Sequence, residues 1–228
     1  MKLSNKLLIG FFGGAMVYML LAFTEVRLRG DDRRLTGENA TVESQSLSGI
    51  RYIKLNDIGK RIYISSSDTS RIEMRSKDGN VLSGLRYKIS GDTLTLNQLE
   101  LDEDVRVSLT IFISKSSFTG LHSNEARVYF SDLDLPIMAI IQSGGNIVFE
   151  NNIYLDRLLL QASANASFRM HNGEIDTVTL NMDNSDATIR SRIGRLEGYM
   201  ANKSDLFAGS VNDIEFKKDK SSSMRLID

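Results

Sequence analysis

From residue 50 onward the chain alternates apolar and polar residues in short runs. Ile62-x-Ile64, Ile72-x-Met74, Leu85-x-Tyr87-x-Ile89, Leu94-x-Leu96 and Val105-x-Val107-x-Leu109-x-Ile111-x-Ile113 each put an apolar side chain at every second position. Successive side chains of a strand point to opposite faces, so this period predicts half-buried strands. Ser66-Ser67-Asp68, Asp78-Gly79-Asn80 and Ser90-Gly91-Asp92 fall between the runs. These residue types enter turns through positive φ or through side-chain hydrogen bonds to nearby backbone. Helical spacing is not found after Thr24.

The second half repeats itself. The blocks SNEARVYF (123–130), SGGNIVFE (143–150), SANASFRM (163–170), DNSDATIR (183–190) and NKSDLFAG (202–209) recur every 20 residues, with a single step of 19. That period is too short for helix-pair repeats and lacks the leucine consensus of horseshoe repeats, but it fits one coil of a β-helix with two or three short strands. Apolar columns are expected along Ile140, Leu160 and Leu180, along Leu155 and Ile175, and along Val128, Val148, Phe168, Thr188 and Phe207. Asn152 with Asn172, and Asn146 with Asp186 and Asp205, are expected to form polar columns that tolerate left-handed bends and ladder their side chains. The fold class is therefore all-β, a parallel β-solenoid over residues 50–216 with coils of about 20 residues.

Residues 7–24 contain no charge. As a helix at about 1.5 Å per residue they would span roughly 27 Å, close to the thickness of a bilayer's hydrocarbon core. Lys2 and Lys6 in the flank 1–6 would also suit a signal peptide, but small residues at cleavage spacing are missing after the apolar run, and a lipoprotein needs a cysteine that the chain lacks. The segment reads as an uncleaved single-pass anchor, and Gly10 and Gly14 form a G-x-x-x-G suited to close approach of two such helices. Residues 25–49 read as a polar linker and residues 217–228 as a charged tail. Arg27, Arg29, Arg33 and Arg34 beyond the anchor would by the positive-inside rule hold the head in the cytoplasm, whereas signal-like N-termini export the chain downstream of them. The favoured orientation is the exported one, a head on the outer side of the inner membrane.

Composition narrows the function classes. With 28 basic and 29 acidic residues the net charge is -1, so no overall field favours nucleic acid. The absence of cysteine excludes disulfides, thiolate nucleophiles and sulfur-ligated zinc. His122 and His171 have no ligand partner at metal spacing and are expected at solvated turns. Asp102-Glu103-Asp104 lacks the alternating oxygens of a calcium loop and reads as a hairpin tip. Asp183-Asn184-Ser185-Asp186 with Asn181 offers more oxygen, but neighbouring coils carry Ala162, Ala164 and Ala166 instead of further acids. Glycoside hydrolysis needs two facing carboxyl groups, usually with aromatic platforms. Pairs such as Glu150 with Asp176 arise freely among 29 acids, and there is no Trp. No catalytic, cofactor or metal site is assigned. Tyr129, Phe149 and Arg169 could instead stack into a ladder along one face for an extended polymer, a polysaccharide or a surface protein; in the alternative, Phe149 belongs to the core. The ends of a solenoid are open sheet edges, and Lys217-Lys218-Asp219-Lys220 is expected to shield the last one.

An exported-looking N-terminus, an early block of paired strands ending in VRVSLTIFI (105–113) and serine-led turns every twenty residues together resemble the head GIN domain family. Its members are candidate auto-transporter adhesins frequent in Bacteroidetes. The resemblance covers roughly residues 50–215, with Ser143-Gly144-Gly145-Asn146 standing where the family has a G-S-G-type turn, and Asn184-Ser185-Asp186 and Lys203-Ser204-Asp205 departing from it. It implies a right-handed β-helical head at the cell envelope and supplies no catalytic residues. The expected function is non-catalytic: adhesion, surface scaffolding or polymer recognition. A polysaccharide-processing β-helix enzyme and a self-assembling scaffold on the cytoplasmic side are the two rivals.

Overall fold

The computed structural model describes residues 40–102 and 105–226, together with Met16, Tyr18 and Met19, which are helical. The chain divides into two units, Met1–Glu38 and Asn39–Asp228. The anchor as a whole, Gly10 and Gly14, most of the expected linker and Glu103-Asp104 lie outside the described residues. Among the described residues no helix is long and apolar enough to cross a membrane.

The second unit is all-β. Its first strands are β1 (Thr41–Ser46), β2 (Tyr52–Leu55), β3 (Arg61–Ser67), β4 (Arg71–Ser76), β5 (Leu85–Ser90), β6 (Thr93–Leu99) and β7 (Val107–Ser114). All but β1 and β2 fall on the alternating runs, and their buried residues are every second one: Ile62 and Ile64, Ile72 and Met74, Leu94 and Leu96, Leu109, Ile111 and Ile113. Then β8 (Gly120–Asn124) and β9 (Arg127–Ser131) begin a regular winding. Five long strands follow, β10 (Leu133–Ser143), β12 (Ile153–Ser163), β14 (Glu174–Asp183), β16 (Arg192–Ala201) and β18 (Val211–Lys218). Each leads into a short one: β11 (Asn146–Phe149), β13 (Ser167–Met170), β15 (Asp186–Ile189), β17 (Asp205–Ala208) and β19 (Ser223–Leu226).

These strands form two sheets. Sheet A runs β1-β4-β7-β3-β9-β11-β13-β15-β17-β19, and sheet B runs β18-β16-β14-β12-β10-β8-β2-β6-β5. From β8 and β9 onward all pairing is parallel, as expected of a solenoid. Among the described residues antiparallel pairs occur only at the N-terminal end of this unit, where β4 lies between β1 and β7 and β5 folds on β6. β1 arises within the stretch read as linker, and β19 within the stretch read as tail. Lys217 and Lys218 belong to β18 instead of shielding it.

One core runs the length of the unit between the inner faces. Phe130 and Phe149 meet edge-to-face at 4.8 Å between ring centroids, and Phe149 and Phe168 at 5.1 Å. The columns Ile140–Leu160–Leu180 and Leu155–Ile175 are in register as expected. One expected column is corrected. The buried set is Val128, Ile147, Phe168, Ala187 and Leu206. Val148, Thr188 and Phe207 are in register with Tyr129 and Arg169 on the opposite face. The cause is an uneven step: sheet A advances by 19 residues from Val128 to Ile147, by 21 to Phe168 across the three-residue corner 164–166, and by 19 to Ala187, so constant steps of 20 change face at each coil. A one-residue change reverses which face a strand presents.

The corners rely on left-handed backbone at Glu125, Gly144, Gly145, Ala164, Asn165, Asn184, Asn202 and Lys203. Their side chains ladder: Asn184 Nδ2 donates to Asn165 Oδ1 at 3.1 Å, and Asn202 Nδ2 to Asp183 Oδ1 at 2.6 Å. Beneath them buried serines continue the stack. The backbone N–H of Ser185 donates to Ser204 Oγ, and that of Ser204 to Ser222 Oγ. Gln142, 1% exposed, directs its Nε2 to the carbonyls of Gly144, Gly145 and Ser167. The buried serine backbone and the Gln142 amide nitrogen thus find partners on their own or the adjacent coil, while Gln142 Oε1 is buried without one.

Candidate functional site

Sheet A has one outward face whose side chains stand in two columns set by strand register. The first column reads Arg61, Arg127, Asn146, Ser167, Asp186, Asp205 and Ser223. The second reads Tyr63, Tyr129, Val148, Arg169, Thr188, Phe207 and Arg225, taken from the same pairings. Hydrogen-bonded parallel strands place successive members about 4.8 Å apart. The face therefore repeats side-chain positions along the solenoid axis.

Its two ends differ in chemistry. Toward the N-terminal end Tyr63 and Tyr129 lie 5.5 Å apart, with the Arg61 guanidinium 5.8 Å from the Tyr129 ring. Toward the C-terminal end the face sinks into an open depression of about 340 Å³. Asp186 and Asp205 line one side, Thr188 and Phe207 the other, and Arg169 and Arg225 also line it. Ser223 Oγ donates to the Asp205 carboxylate. The set offers carboxylate acceptors, guanidinium donors and an aromatic surface on one strip, the groups that hold a hydroxylated or amide-bearing chain.

Tyr129 and Arg169 thus share one column, with Val148 between them. Phe149 is fully buried in the core. Asn146, Asp186 and Asp205 share one register as expected, whereas Phe207 and Arg225 escape the sequence pattern, because constant stepping puts Phe207 in an apolar column and Arg225 lies in the stretch read as tail. The signal that could have found Phe207 is the 19-residue spacing of Val128 and Ile147, which moves the apolar column to Ile147, Phe168, Ala187 and Leu206.

The other candidates are dispersed. His122 is exposed on β8, a strand position and not a turn, while His171 is exposed between β13 and β14. The 181–186 oxygens divide between faces: Asn181 is exposed on sheet B, Ser185 is buried, and Asp186 is exposed on sheet A. Asp176 is exposed on β14, and Glu150 follows β11. Among the described residues no group of three or more His, Cys, Asp or Glu side chains is arranged to hold a metal ion.

Sheet B carries ion pairs on its outer face. Arg195 meets Asp213 at 3.1 Å and also contacts Glu197 and Glu215. The Thr179 hydroxyl donates to Glu197 at 2.9 Å and, with Arg195, holds that carboxyl below its ordinary range. At the last corner Asp219 accepts from Ser222, from the backbone N–H of Asn202 and from Ser221, and these bonds hold its carboxyl well below the usual carboxylate range.

No family model matches the chain, and no curated protein matches its sequence. Solved structures do match. A candidate adhesin of Parabacteroides distasonis ATCC 8503 superposes with a TM-score of 0.51 at 12% identity, over 82% of this chain and 93% of that one. A candidate adhesin of Bacteroides fragilis NCTC 9343 gives 0.48 at 10% identity, over 84% and 98%. A candidate lipid-binding protein of Parabacteroides distasonis ATCC 8503 gives 0.47 at 11% identity, over 84% and 98%. At such identities the likeness to the first of these is one of fold, and it is an all-β solenoid that this chain shares with a candidate adhesin of a Bacteroidetes species.

Proposed function

We propose that the chain is a non-catalytic, membrane-anchored β-solenoid of the cell envelope, similar to the head GIN domain adhesins, with a right-handed coil and a single-pass anchor over residues 7–24. Its head lies outside the inner membrane. The outward face of sheet A binds an extended polymer, a polysaccharide or an exposed segment of a surface protein. The observation that carries this reading is the second column of that face, where Tyr63, Tyr129, Arg169, Thr188, Phe207 and Arg225, with a buried Val148 among them, repeat at strand spacing and end in the depression. Repeated positions at constant spacing suit a repeating ligand. The fold shared with a candidate adhesin supports the same direction.

The full chain in lipid nanodiscs, presented to immobilised neutral and acidic polysaccharides and to an extended polypeptide, tests the reading. Binding to one polymer class is expected, and substitution of Arg169 or Phe207 by Ala should weaken it. Absence of binding across the panel, or release of cleaved oligosaccharides, would count against a non-catalytic binder.

A further inference from the structure

The two ends of the solenoid are closed differently. At the N-terminal end the antiparallel strands β1, β4 and β5 interrupt the parallel winding, and the Glu43 carboxylate of β1 accepts from the backbone N–H groups of Asn80, Val81 and Leu82. At the C-terminal end β18 and β19 are the last strands of their sheets. Among the described residues nothing pairs with their free sides.

The inner columns of this last coil nevertheless stay apolar at all but one position, Lys218, which lies in register with buried Met200. Ile214, Phe216, Met224 and Leu226 lie in register with Leu196, Gly198, Leu206 and Ala208. Leu196, Leu206 and Ala208 are buried, whereas Ile214 is 40% and Leu226 49% exposed. A coil face turned to water would carry polar residues at these positions. An open, apolar parallel edge is a template for another strand.

The charges of β18 identify that strand. Asp213 and Glu215 precede Lys217 and Lys218 in VNDIEFKK. Asp213, Glu215 and Lys217 continue the outward columns of Arg195, Glu197 and Tyr199. A parallel copy of β18 would set like charges side by side, while an antiparallel copy centred on Phe216 sets Glu215 against Lys217; Asp213 then lies opposite Asp219, whose carboxylate is turned to Asn202, Ser221 and Ser222.

We propose that the C-terminal end of the solenoid binds the same end of a second copy, with the two β18 strands antiparallel about a two-fold axis at Phe216. Glu215 then lies opposite Lys217 of the second copy, twice by symmetry, and extends the Arg195–Glu215 contact into a network. The two Phe216 side chains meet at the axis. Ile214 lies opposite Lys218, whose ammonium already reaches the Ser222 carbonyl at 3.0 Å, leaving its methylenes over the apolar side chain. Met224 and Leu226 of β19 complete the covered core. An isologous contact of this kind closes at two copies and leaves the outward face of sheet A free.

The chain has no cysteine, so a single introduced thiol reports pairing directly. Directly opposed residues on antiparallel strands lie about 4.5–5.5 Å apart between Cα atoms, within disulfide reach. The full chain carrying Phe216→Cys in detergent micelles, mildly oxidised, is expected to yield a covalent dimer. Lys203→Cys at the preceding corner is the control and should remain monomeric, even if the anchors associate. Adding Glu215→Lys should weaken dimerisation about tenfold, as expected for losing two cross-strand charge pairs. The further change Lys217→Glu restores the pairs with reversed sign and should recover the yield. Circular dichroism melts establish that each variant is folded. No cross-link in folded Phe216→Cys, equal linkage at Lys203→Cys, a ladder of higher species, or failure of the charge reversal to rescue would overturn the two-fold contact.

Discussion

Replacing Phe149 by Ala tests the coil stacking more sharply than any surface change. Phe149 is 0% exposed and touches Phe130 at 4.8 Å and Phe168 at 5.1 Å between centroids, both edge-to-face. Truncating a buried Phe costs about 3–5 kcal/mol, and the spread reflects how far the surroundings close over the gap. Here closure is restricted, because β11 is held on both sides by β9 and β13. Hydrogen-bonded strands cannot approach much closer than about 4.8 Å. The expected loss is therefore about 4 kcal/mol. With a urea slope of roughly 2 kcal/mol/M, the midpoint should fall by about 2 M. The chain has no Trp, so far-UV circular dichroism is the appropriate probe. Thr188→Ala, outward and half-buried on β15, should shift the midpoint by less than about 0.3 M, since surface changes usually stay within about 0.5 kcal/mol. A Phe149→Ala shift below about 0.5 M, or equal shifts for the two variants, would refute the assigned register and the stacking derived from it.

Other outcomes are expected along the same lines. At Gly198, with φ of +137°, an added Cβ would collide with the Leu180 carbonyl oxygen on the adjacent strand. Gly198→Ala should therefore lower stability by more than about 2 kcal/mol in the same urea titration, a cost set by backbone strain and overpacking. Asp219 has a folded pKa depressed by its hydrogen bonds to Ser222, Asn202 and Ser221. Its contribution is present above the unfolded value of about 3.9 and is lost as pH falls below it. Asp219→Ala should lower the melting temperature at pH 7 and make it less sensitive to acid between about pH 4 and pH 2 than in the parent chain. On the binding face, Phe207→Ala should weaken polymer binding about tenfold or more while leaving the melting temperature nearly unchanged, because one aromatic anchor commonly supplies about 1–3 kcal/mol or more.

Much of the architecture was legible because side-chain period reports strand directly. Ile62-x-Ile64 and the Val107 to Ile113 alternation are β3 and β7, and the 20-residue recurrence becomes the register partners Ile140, Leu160 and Leu180. The pattern concealed changes of one residue at the corners. The three residues 164–166 advance sheet A by 21 positions from Asn146 to Ser167 while sheet B advances by 20 from Ser143 to Ser163. Together with the 19-residue steps from Val128 to Ile147 and from Phe168 to Ala187, this change made a constant period assign Val148, Thr188 and Phe207 to the inner face and hid the depression that Phe207 lines. The N-terminal antiparallel strands were hidden for another reason. β1 is exposed at every residue but Glu43, which is half-buried, so its TVESQS sequence carries no apolar alternation to detect. It is held by pairing with β4 and by the Glu43 carboxylate. The charged run 217–220 looked like a tail because outward Lys217 and inward Lys218 are both basic, which breaks the alternation at the end of β18.

The side of the membrane on which sheet A presents its outward face separates an envelope binder from a cytoplasmic scaffold. Arg169 is exposed on β13, and the chain contains no native thiol. A single Arg169→Cys variant of the full chain can therefore be treated with a membrane-impermeant maleimide in spheroplasts whose inner membrane is intact. Detergent-opened spheroplasts serve as the reference for full labelling. Labelling in intact spheroplasts is the predicted result. Labelling only after detergent would place the face on the cytoplasmic side and contradict an envelope binder.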